Sequence, residues 1–429
     1  MGVVVPPAPS GLHVLVVGSG GREHALCWAA RRSPLVARVS AAPGNGGTAQ
    51  LAQNHPLLAT DALGLAELAR RERVDLVLLG PDAAVEAGAA DALEEVAVPC
   101  FGPTQAAGRL ETSKSFAKEL MRQEGIATPR FAVFDQRQAA LDHLKGRSGA
   151  VVVKADGLAL GKGAFVCASP AEAAAVVDRL LLRGELGAAG ERLLIEDRIA
   201  GEEASFFAVC DGRSARMLPP ARDYKRAGDG DLGPNTGGMG AFAPAVPAWR
   251  ELNRRVEREV VLPVLAAMAR RGTPYRGCLY VGAMLSGARI SVLEFNARLG
   301  DPEAEVLLPL LPDLIPLLWQ AALGRLRDPT PEPAPGCSVG VVAAREPYPE
   351  EVRPGGEIRG IPAGCISGRT VFQMSTRVGA AGRPEVAGGR VLVSTAVGPD
   401  LAAAREGAYQ TLAEIHFQGM RYRRDIAAG

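Results

Sequence analysis

The 429-residue chain reads as a multidomain α/β and α+β protein. A parallel α/β domain stands at the N-terminus, followed by a small lid, a larger central unit and a β-rich C-terminal domain. Three observations predict this. Apolar runs of strand length alternate with helical patterns up to about Phe101, the signature of parallel strands with crossover helices. Valine-rich pairs and longer apolar strands then replace that alternation. A proline-rich stretch, Asp328 to Gly336, finally interrupts the chain, and the segment beyond it is β-rich apart from one closing helix.

Taken in order, residues 1–10 read as a frayed tail. The first domain, 11–110, opens with the apolar run Leu12–Val17, which ends in Gly18-Ser19-Gly20-Gly21 before a helical pattern begins at Arg22. Strands follow near Arg38–Ala42 and Val74–Leu79, with a helix over Ala62–Arg73 between them. The second unit, 111–325, starts with a helix from Thr112 to Gly125 and contains a lid of about 128–198. In that lid Val151–Lys154 and Ala164–Cys167 are strands joined by a glycine-rich loop. Long strands over Ala204–Val209, Cys278–Leu285 and Arg289–Phe295 and a helix of more than four turns, Trp249–Arg271, complete it. Residues 326–336 are the linker and 337–429 the C-terminal domain, closed by a helix over Asp400–Ile415.

Composition narrows the function. Lys plus Arg number 48 and Asp plus Glu 47, a net charge of +1, so the basic excess that a nucleic-acid or anionic-membrane surface needs is missing. The seven cysteines are scattered and contain no Cys-x-x-Cys pair, which argues against zinc sites and disulfides and for a reducing, cytoplasmic setting. The N-terminus has no charged region of the kind that precedes a secretory signal. The apolar stretch Val306–Leu323 is broken by Pro309, Pro312, Asp313 and Pro316, so it is not expected to span a membrane.

Four segments carry chemistry. Gly18-Ser19-Gly20-Gly21-Arg22-Glu23-His24 joins a strand to a helix start, where free N–H groups and the helix dipole favour an anion. Glu23 stands where a dinucleotide fingerprint needs glycine, so a monophosphate ligand fits better than a nicotinamide cofactor. A second turn, Ala42-Pro43-Gly44-Asn45, follows the next strand, at the edge where parallel sheets bind ligands. Lys154-Ala155-Asp156-Gly157 to Gly161-Lys162-Gly163 lacks the spacing and hydroxyl of a P-loop; a glycine loop between antiparallel strands can instead fold over triphosphate oxygens. In Glu294-Phe295-Asn296-Ala297-Arg298, strand alternation puts Glu294, Asn296 and Arg298 on one face and Leu293, Phe295 and Ala297 on the other. A carboxylate and an amide two residues apart offer hard oxygen ligands suited to Mg²⁺ or Mn²⁺, and Arg298 could grip a carboxylate or phosphate. The fourth segment is a long polar loop containing Arg222-Asp223-Tyr224-Lys225 and Gly233-Pro234-Asn235-Thr236-Gly237-Gly238-Met239-Gly240, of the kind that binds or gates a ligand.

These pieces, in this order, resemble the phosphoribosylamine–glycine ligase family of ATP-grasp enzymes over nearly the whole chain, about Leu12 to Ile426. The resemblance implies a Rossmann-like N-terminal domain, an ATP-grasp lid and central domain, ATP with Mg²⁺ or Mn²⁺, and the substrates glycine and 5-phosphoribosylamine. Glu294 and Asn296 would hold the metal. Lys114, Lys154, Gly157, Gly161, Lys162 and Gly163 would meet the ATP phosphates, with Glu196 and Glu203 at the nucleotide. Arg298, Asp223 and Lys225 would serve glycine. Gly20, Gly21, Arg22, Glu23, His24, Gly44, Asn45, Asn235, Thr236, Gly237, Gly300 and Asp301 would hold phosphoribosylamine. The enzyme implied is a monomer working without nucleic acid or membrane.

The chain departs from the family pattern at Ser19, Tyr224, Glu305, Arg345-Glu346 and Gln373-Met374-Ser375-Thr376. Two other readings stand beside the resemblance: an ATP-grasp ligase with a different amine acceptor, and a nucleotide-binding relative without catalysis. A nicotinamide dehydrogenase comes last.

Overall fold

The computed structural model describes residues 9–159 and 163–428. Strands β1 (Leu12–Gly18), β2 (Val36–Pro43), β3 (Gln53–Asn54), β4 (Leu76–Leu79) and β5 (Cys100–Phe101) form one parallel sheet in the order β3-β2-β1-β4-β5. Helices α1 (Gly21–Arg32), α2 (Ala62–Arg71), α3 (Asp82–Glu86) and α4 (Ala89–Glu95) connect or flank these strands. The chain winds outward through β2 and β3, then returns to the other side of β1 as β4. The switch point therefore lies between β1 and β4, and Arg22 and Asp82 stand just beyond the carboxyl ends of those two strands.

The helix expected over Thr112–Gly125 is α6 (Lys114–Gln123), and a separate helix, α5 (Gln105–Thr112), precedes it. Ser113 between them is extended (φ −138°, ψ 103°), and its hydroxyl accepts from the Phe116 amide as the cap of α6. The lid comprises β6 (Phe131–Phe134), α7 (Arg137–Leu144), β7 (Val151–Ala155), β8 (Ala164–Cys167), α8 (Pro170–Val177) and β9 (Leu193–Asp197). Its antiparallel sheet runs β6-β9-β7-β8, and Val151, Val153, Leu193 and Ile195 pack beneath the two helices.

The central unit contributes β10 (Glu202–Asp211), β11 (Ala215–Met217), β12 (Arg222–Asp223), the hairpin β13 (Arg226–Gly228) and β14 (Leu232–Asn235), and β15 (Gly240–Ala243). Helices α9 (Trp249–Val256) and α10 (Leu262–Arg270) precede β16 (Arg276–Ser286) and β17 (Arg289–Asn296). The long helix expected over Trp249–Arg271 forms, but with a π-turn at Glu257–Val261, where the Leu262 amide reaches the Glu257 carbonyl five residues back. Pro263 has no amide to continue an α ladder, and a wider turn moves its ring clear of the preceding carbonyls. The main sheet is β11-β10-β16-β17.

Helices α11 (Glu303–Leu307) and α12 (Ile315–Ala322) follow β17. The C-terminal piece adds β18 (Cys337–Arg345), β19 (Arg369–Gln373), the hairpin β20 (Thr376–Val378) and β21 (Pro384–Val386), β22 (Arg390–Gly398), α13 (Leu401–Ala413) and β23 (Met420–Arg421). Its sheet, β12-β15-β18-β22-β19 with β23 on β18, takes two strands from before the proline-rich linker. The long polar loop is thus built into the C-terminal sheet. Among the described residues no single helix is long and apolar enough to cross a membrane; the apolar stretch forms two helical segments meeting at 113°. Buried Val306, Leu307, Leu317 and Leu318 there share one core with Val14 and Val16 of β1, Leu26 of α1 and Phe207 of β10.

The N- and C-terminal domains are fastened by His24 and Asn45. The buried His24 ring packs edge-on against Phe372, and its Nδ1 accepts from the Gln373 amide at 2.8 Å. Burial pushes the His24 pKa down to about 4. An unfolded chain binds a proton at this ring near pH 6.5 while the folded one refuses it, so the ring's contribution is complete above that pH and falls as pH drops toward 4. Lowering the pH from 7.5 to 5 should cost native protein about 2 kcal/mol more than His24→Asn, which keeps an acceptor but has no ring to charge. Denaturant titrations at the two pH values measure the difference, and equal losses would contradict this role for His24.

Candidate active site

A cavity of about 470 Å³ lies where the N-terminal domain, lid, central sheet and C-terminal sheet converge. Its floor is β17. A bulge there pairs Gly282 with Glu294 and Ala283 with Val292, leaving Leu293 as the extra residue. Phe295 and Ala297 are buried in the central core, while Glu294 and Asn296 line the cavity. The bulge corrects the expected alternation for Leu293, which joins Glu294 on the cavity wall, with Phe295 also reaching its edge, and turns its carbonyl to the Lys154 ammonium at 3.1 Å.

Charge at this floor is set by close neighbours. Desolvation pushes the Glu294 carboxyl up, but Lys225, Lys154, Lys114 and Arg298 together outweigh it and hold the pKa below the usual range. Desolvation likewise opposes the charge on Arg298, but Glu111, 2.9 Å away, together with Asp82, Glu303 and Tyr280 outweighs it, so Arg298 is held cationic. Glu111 is itself fixed by the Ala297 amide at 2.7 Å. Asp223 is pushed up to about 7, first by desolvation, with Lys225 opposing and Glu303 and Glu203 reinforcing. Lys225 pairs with Glu203 and stays strongly cationic despite desolvation, because Asp223 and Glu203 flank it.

The roof is α6 and the lid. Lys114 sits in the first turn of α6, an unfavourable place for a cation because the helix dipole is positive there. Asp156, at the exit of β7, compensates by accepting from the Ser115 amide at 2.6 Å and the Ser115 hydroxyl at 2.7 Å. Lys118, one turn on, is buried, and its pKa falls to about 8 through burial and the nearby Lys154, with Glu196 opposing. Glu196 is clamped between two ammonium groups, Lys118 at 3.2 Å and Lys154 at 3.1 Å.

The remaining wall belongs to the loop 233–240 and the C-terminal domain. Arg390 donates to the carbonyls of Gly237 at 2.7 Å and Asp301 at 2.9 Å and pairs with the Asp301 carboxylate at 2.9 Å. Side chains at 237 and 238 would be obstructed: a Cβ on Gly237 would lie 3.0 Å from the Arg390 guanidinium carbon, and one on Gly238, at φ +111°, 2.5 Å from the Pro302 ring. This close approach explains the consecutive glycines.

Of the residues singled out from sequence, Arg22, Lys114, Gly163, Glu196, Asp223, Lys225, Asn235, Thr236, Gly237, Glu294, Asn296, Arg298, Gly300 and Asp301 line this one cavity. Glu196 presents a paired carboxylate there rather than a free one. Others lie elsewhere, each for a physical reason. Lys154 is behind the wall, its ammonium engaged by Glu196 and the Leu293 carbonyl. Gly157 packs on Ala189, where a Cβ would be 2.8 Å from the neighbouring Cα, and its carbonyl accepts from Lys114. Glu203 reaches the site through Lys225. Gly161 and Lys162 lie outside the described residues.

The two turns expected to hold an anion are largely self-satisfied. Glu23 folds back to accept from the Gly20 amide and pairs with Arg22 at 2.6 Å, supplying the negative charge at the start of α1 from within. Gly20 and Gly21 are closely approached by carboxylates: a Cβ on Gly21 would be 2.2 Å from a Glu305 oxygen, and one on Gly20 2.8 Å from Glu23. Asn45 accepts from the Gly47 and Thr48 amides and donates to carbonyls of Gly20 and Gln373. Gly44 turns the chain at φ +73°, close to Asn54 and Thr48. His24 is committed to Gln373. Only Arg22 carries this segment into the cavity.

The sequence reading missed Asp82, Glu111, Lys118, Tyr280, Glu303, Tyr348 and Arg390, all of which line the cavity. Lys118 was findable, four residues beyond Lys114 on one helix face. Arg390 and Tyr348 carried no local signal. Tyr224, a departure from the family pattern, points away: its hydroxyl accepts from the Ala427 amide at 3.0 Å beneath the Arg423 guanidinium, in the C-terminal core.

Comparison with known proteins agrees with this architecture. Family models of phosphoribosylglycinamide synthetase match residues 12–111 (N domain), 112–304 (ATP-grasp domain) and 338–429 (C domain). The phosphoribosylamine–glycine ligase of Caulobacter vibrioides is 45% identical over 421 residues, 97% of each chain. That of Allochromatium vinosum is 45% identical over 419 residues, covering 97% of this chain and 98% of the other. The crystal structure of the Thermotoga maritima phosphoribosylamine–glycine ligase superposes with a TM-score of 0.85 at 34% identity, covering 97% of this chain and all of that one. The biotin carboxylase domain of Hydrogenobacter thermophilus 2-oxoglutarate carboxylase, solved with magnesium ADP and bicarbonate, has a TM-score of 0.72 at 17% identity and shares the fold alone. Likeness sustained along nearly the full length, in all three domains and in order, means that the chain belongs to the phosphoribosylamine–glycine ligase family.

Proposed function

We propose that this chain ligates glycine to 5-phosphoribosylamine, converting ATP to ADP and phosphate and yielding glycinamide ribonucleotide, a step of purine biosynthesis. The observation that carries the reading is the β17 floor: Glu294 and Asn296 side by side in the cavity, without hydrogen-bond or ion-pair partners among the described residues, in a family whose members carry this name. Two unpaired hard oxygen donors, one held anionic by four cations, fit Mg²⁺ or Mn²⁺. A divalent ion bound there would neutralise phosphate charge during transfer.

The protein's own groups then divide the work. A carboxylate resists an amine, so glycine is activated as glycyl phosphate before the amide forms. Lys114 and Lys118 present cations to the nucleotide, and Lys154 supports them through Glu196. Leu110, Ala117 and Met121 offer an apolar wall for a base. Arg298, immobilised by Glu111, has donors left for the glycine carboxylate, and Asp223 beside Lys225 suits its ammonium. Arg22, Asn235 to Gly237 and Arg390 form the end where a phosphoribosyl group is received. Closure of the lid over these groups would exclude water from the acyl phosphate. Every group named lies on one chain, so a monomer suffices, and the free cysteines accord with the cytoplasm.

Phosphate release should require glycine and phosphoribosylamine together; a chain that releases phosphate when phosphoribosylamine or glycine is omitted, or none when both are present, would not be this ligase. Glu294→Gln should lower kcat by at least about a hundredfold in steady-state assays; a rate near native would remove Glu294 from the metal site. Arg390→Ala should raise the KM for phosphoribosylamine by about tenfold or more while leaving that for glycine within about twofold, since a charged contact is worth roughly 1.5–3 kcal/mol. An equal rise in both would assign Arg390 to domain joining alone.

A further inference from the structure

Glu303 is a cavity carboxylate to which the ligation scheme gives no task. It opens α11, is 4% exposed, and faces the cavity between Asp301 at the acceptor end and Tyr280 on the central sheet. The carboxylate folds back over Gly300, where an added Cβ would lie 2.3 Å from its Oε2. Its neighbours are already committed: Glu111 to Arg298, Glu196 to two lysines, Asp301 to Arg390. Glu303 has no ion pair among the described residues; the buried Ser205 hydroxyl donates to its Oε1 at 3.3 Å. Ser205 in turn meets the Tyr280 hydroxyl at 2.7 Å, so a donor chain runs from Tyr280 through Ser205 to Glu303 and leaves Oε2 for something in the cavity.

We propose that Glu303 is the base of the amide-forming step, accepting the proton that the phosphoribosylamine nitrogen gives up as it attacks glycyl phosphate. The proposal rests on the ligase reading of the site. In this step the nitrogen lone pair forms the new C–N bond at the glycyl carbonyl carbon. The bond from that carbon to the phosphate oxygen breaks, and its electron pair departs with inorganic phosphate. The N–H proton passes to Glu303 Oε2 and returns to solvent once products leave. Without an acceptor, the attacking nitrogen would retain its positive charge and be expelled again.

The surroundings suit this task. Lys225, beside β12, and Arg298, on the segment leading to α11, favour the charged carboxylate, whereas burial, Asp301 and Asp223 raise its proton affinity, with Glu203 of β10 facing Lys225 across from them. Ser205 and Tyr280, from β10 and β16, orient it. A base needs its carboxylate ionised, so ligation should decline as pH falls through the titration of this group.

The test separates the two half-reactions. Hydroxylamine, unprotonated at neutral pH and strongly nucleophilic, captures an acyl phosphate as a hydroxamate and sheds its proton to water unaided. Glu303→Gln should form glycine hydroxamate from ATP, Mg²⁺, glycine and hydroxylamine within about threefold of the native rate. Its ligation of freshly generated phosphoribosylamine should fall by about a hundredfold or more, and the acid limb of the ligation pH profile should flatten. Ser205→Ala, which keeps the carboxylate but removes its orienting donor, should slow ligation by about tenfold with the acid limb retained, and stands in if the glutamine variant does not fold. Parallel loss of hydroxamate and amide, or no loss of either, would overturn the assignment of Glu303. Native enzyme that forms neither product would instead overturn the ligase reading, and this proposal with it.

Discussion

Opposite charges crowded into one cleft of about 470 Å³ constrain everything around them. Six cationic and seven carboxylate side chains line it, and a charge removed from water must be paired, coordinated or neutralised. The chain satisfies that demand mainly by drawing partners from different elements, and in one case from different domains. Arg298 of the central unit meets Glu111 at the end of α5; Arg390 of the C-terminal sheet meets Asp301 beside α11; Lys118 of α6 and Lys154 of β7 share Glu196 of β9. Each pair immobilises a group and joins two pieces of chain. The contacts that line the cavity also tie its elements together.

The exceptions to pairing are then informative. Among the described residues Glu294 and Glu303 form no ion pair, as Asp82, Asp223 and Lys114 form none, and the Asn296 side chain has no hydrogen-bond partner. Leaving a buried or half-buried carboxylate uncompensated costs free energy, and such costs persist where a ligand, a metal or a proton transfer makes use of them. Cations already surround Glu294 and hold it ionised, which suits coordination; Glu303 keeps one oxygen open. Asp223, pushed to about 7, sits between these cases and can respond to whichever charge arrives beside it.

Local pattern made the N-terminal sheet, the lid hairpin and the acidic strand legible, because each depends on periodicity within a few residues. Glu294 and Asn296 could be assigned to one face from alternation alone. Lys154 shows where that reasoning stops: it ends a buried strand, and which anion it meets is decided by the bulge at Leu293 and by Glu196 on another strand. The glycine turn at residues 18–21 looked like an anion site on its own chemistry, yet Glu23 and the neighbouring carboxylates fill that role from inside the protein. Asn45 likewise bonds to Gln373, more than three hundred residues away. Arg390 and Tyr348 had no local signature because their importance arises only after β18 pairs with β15 of the central unit and β22 with β18.

That pairing bears on how the cleft can work. The 233–240 loop is anchored in the C-terminal sheet through β15, and Arg390 grips both this loop and Asp301, so the acceptor end is rigid from two sides. The lid is attached differently: β7 and β9 belong to a separate four-stranded sheet, tied back through Asp156 to Ser115 and through Lys154 to Leu293. A few polar contacts, rather than a shared sheet, hold it against the floor. Contacts of that kind can be exchanged for contacts to nucleotide phosphates at little net cost, whereas breaking a β-ladder cannot be repaid so locally. On the proposed assignment, movement is expected at the lid, and the wall built from the 233–240 loop and Arg390 is expected to stay fixed.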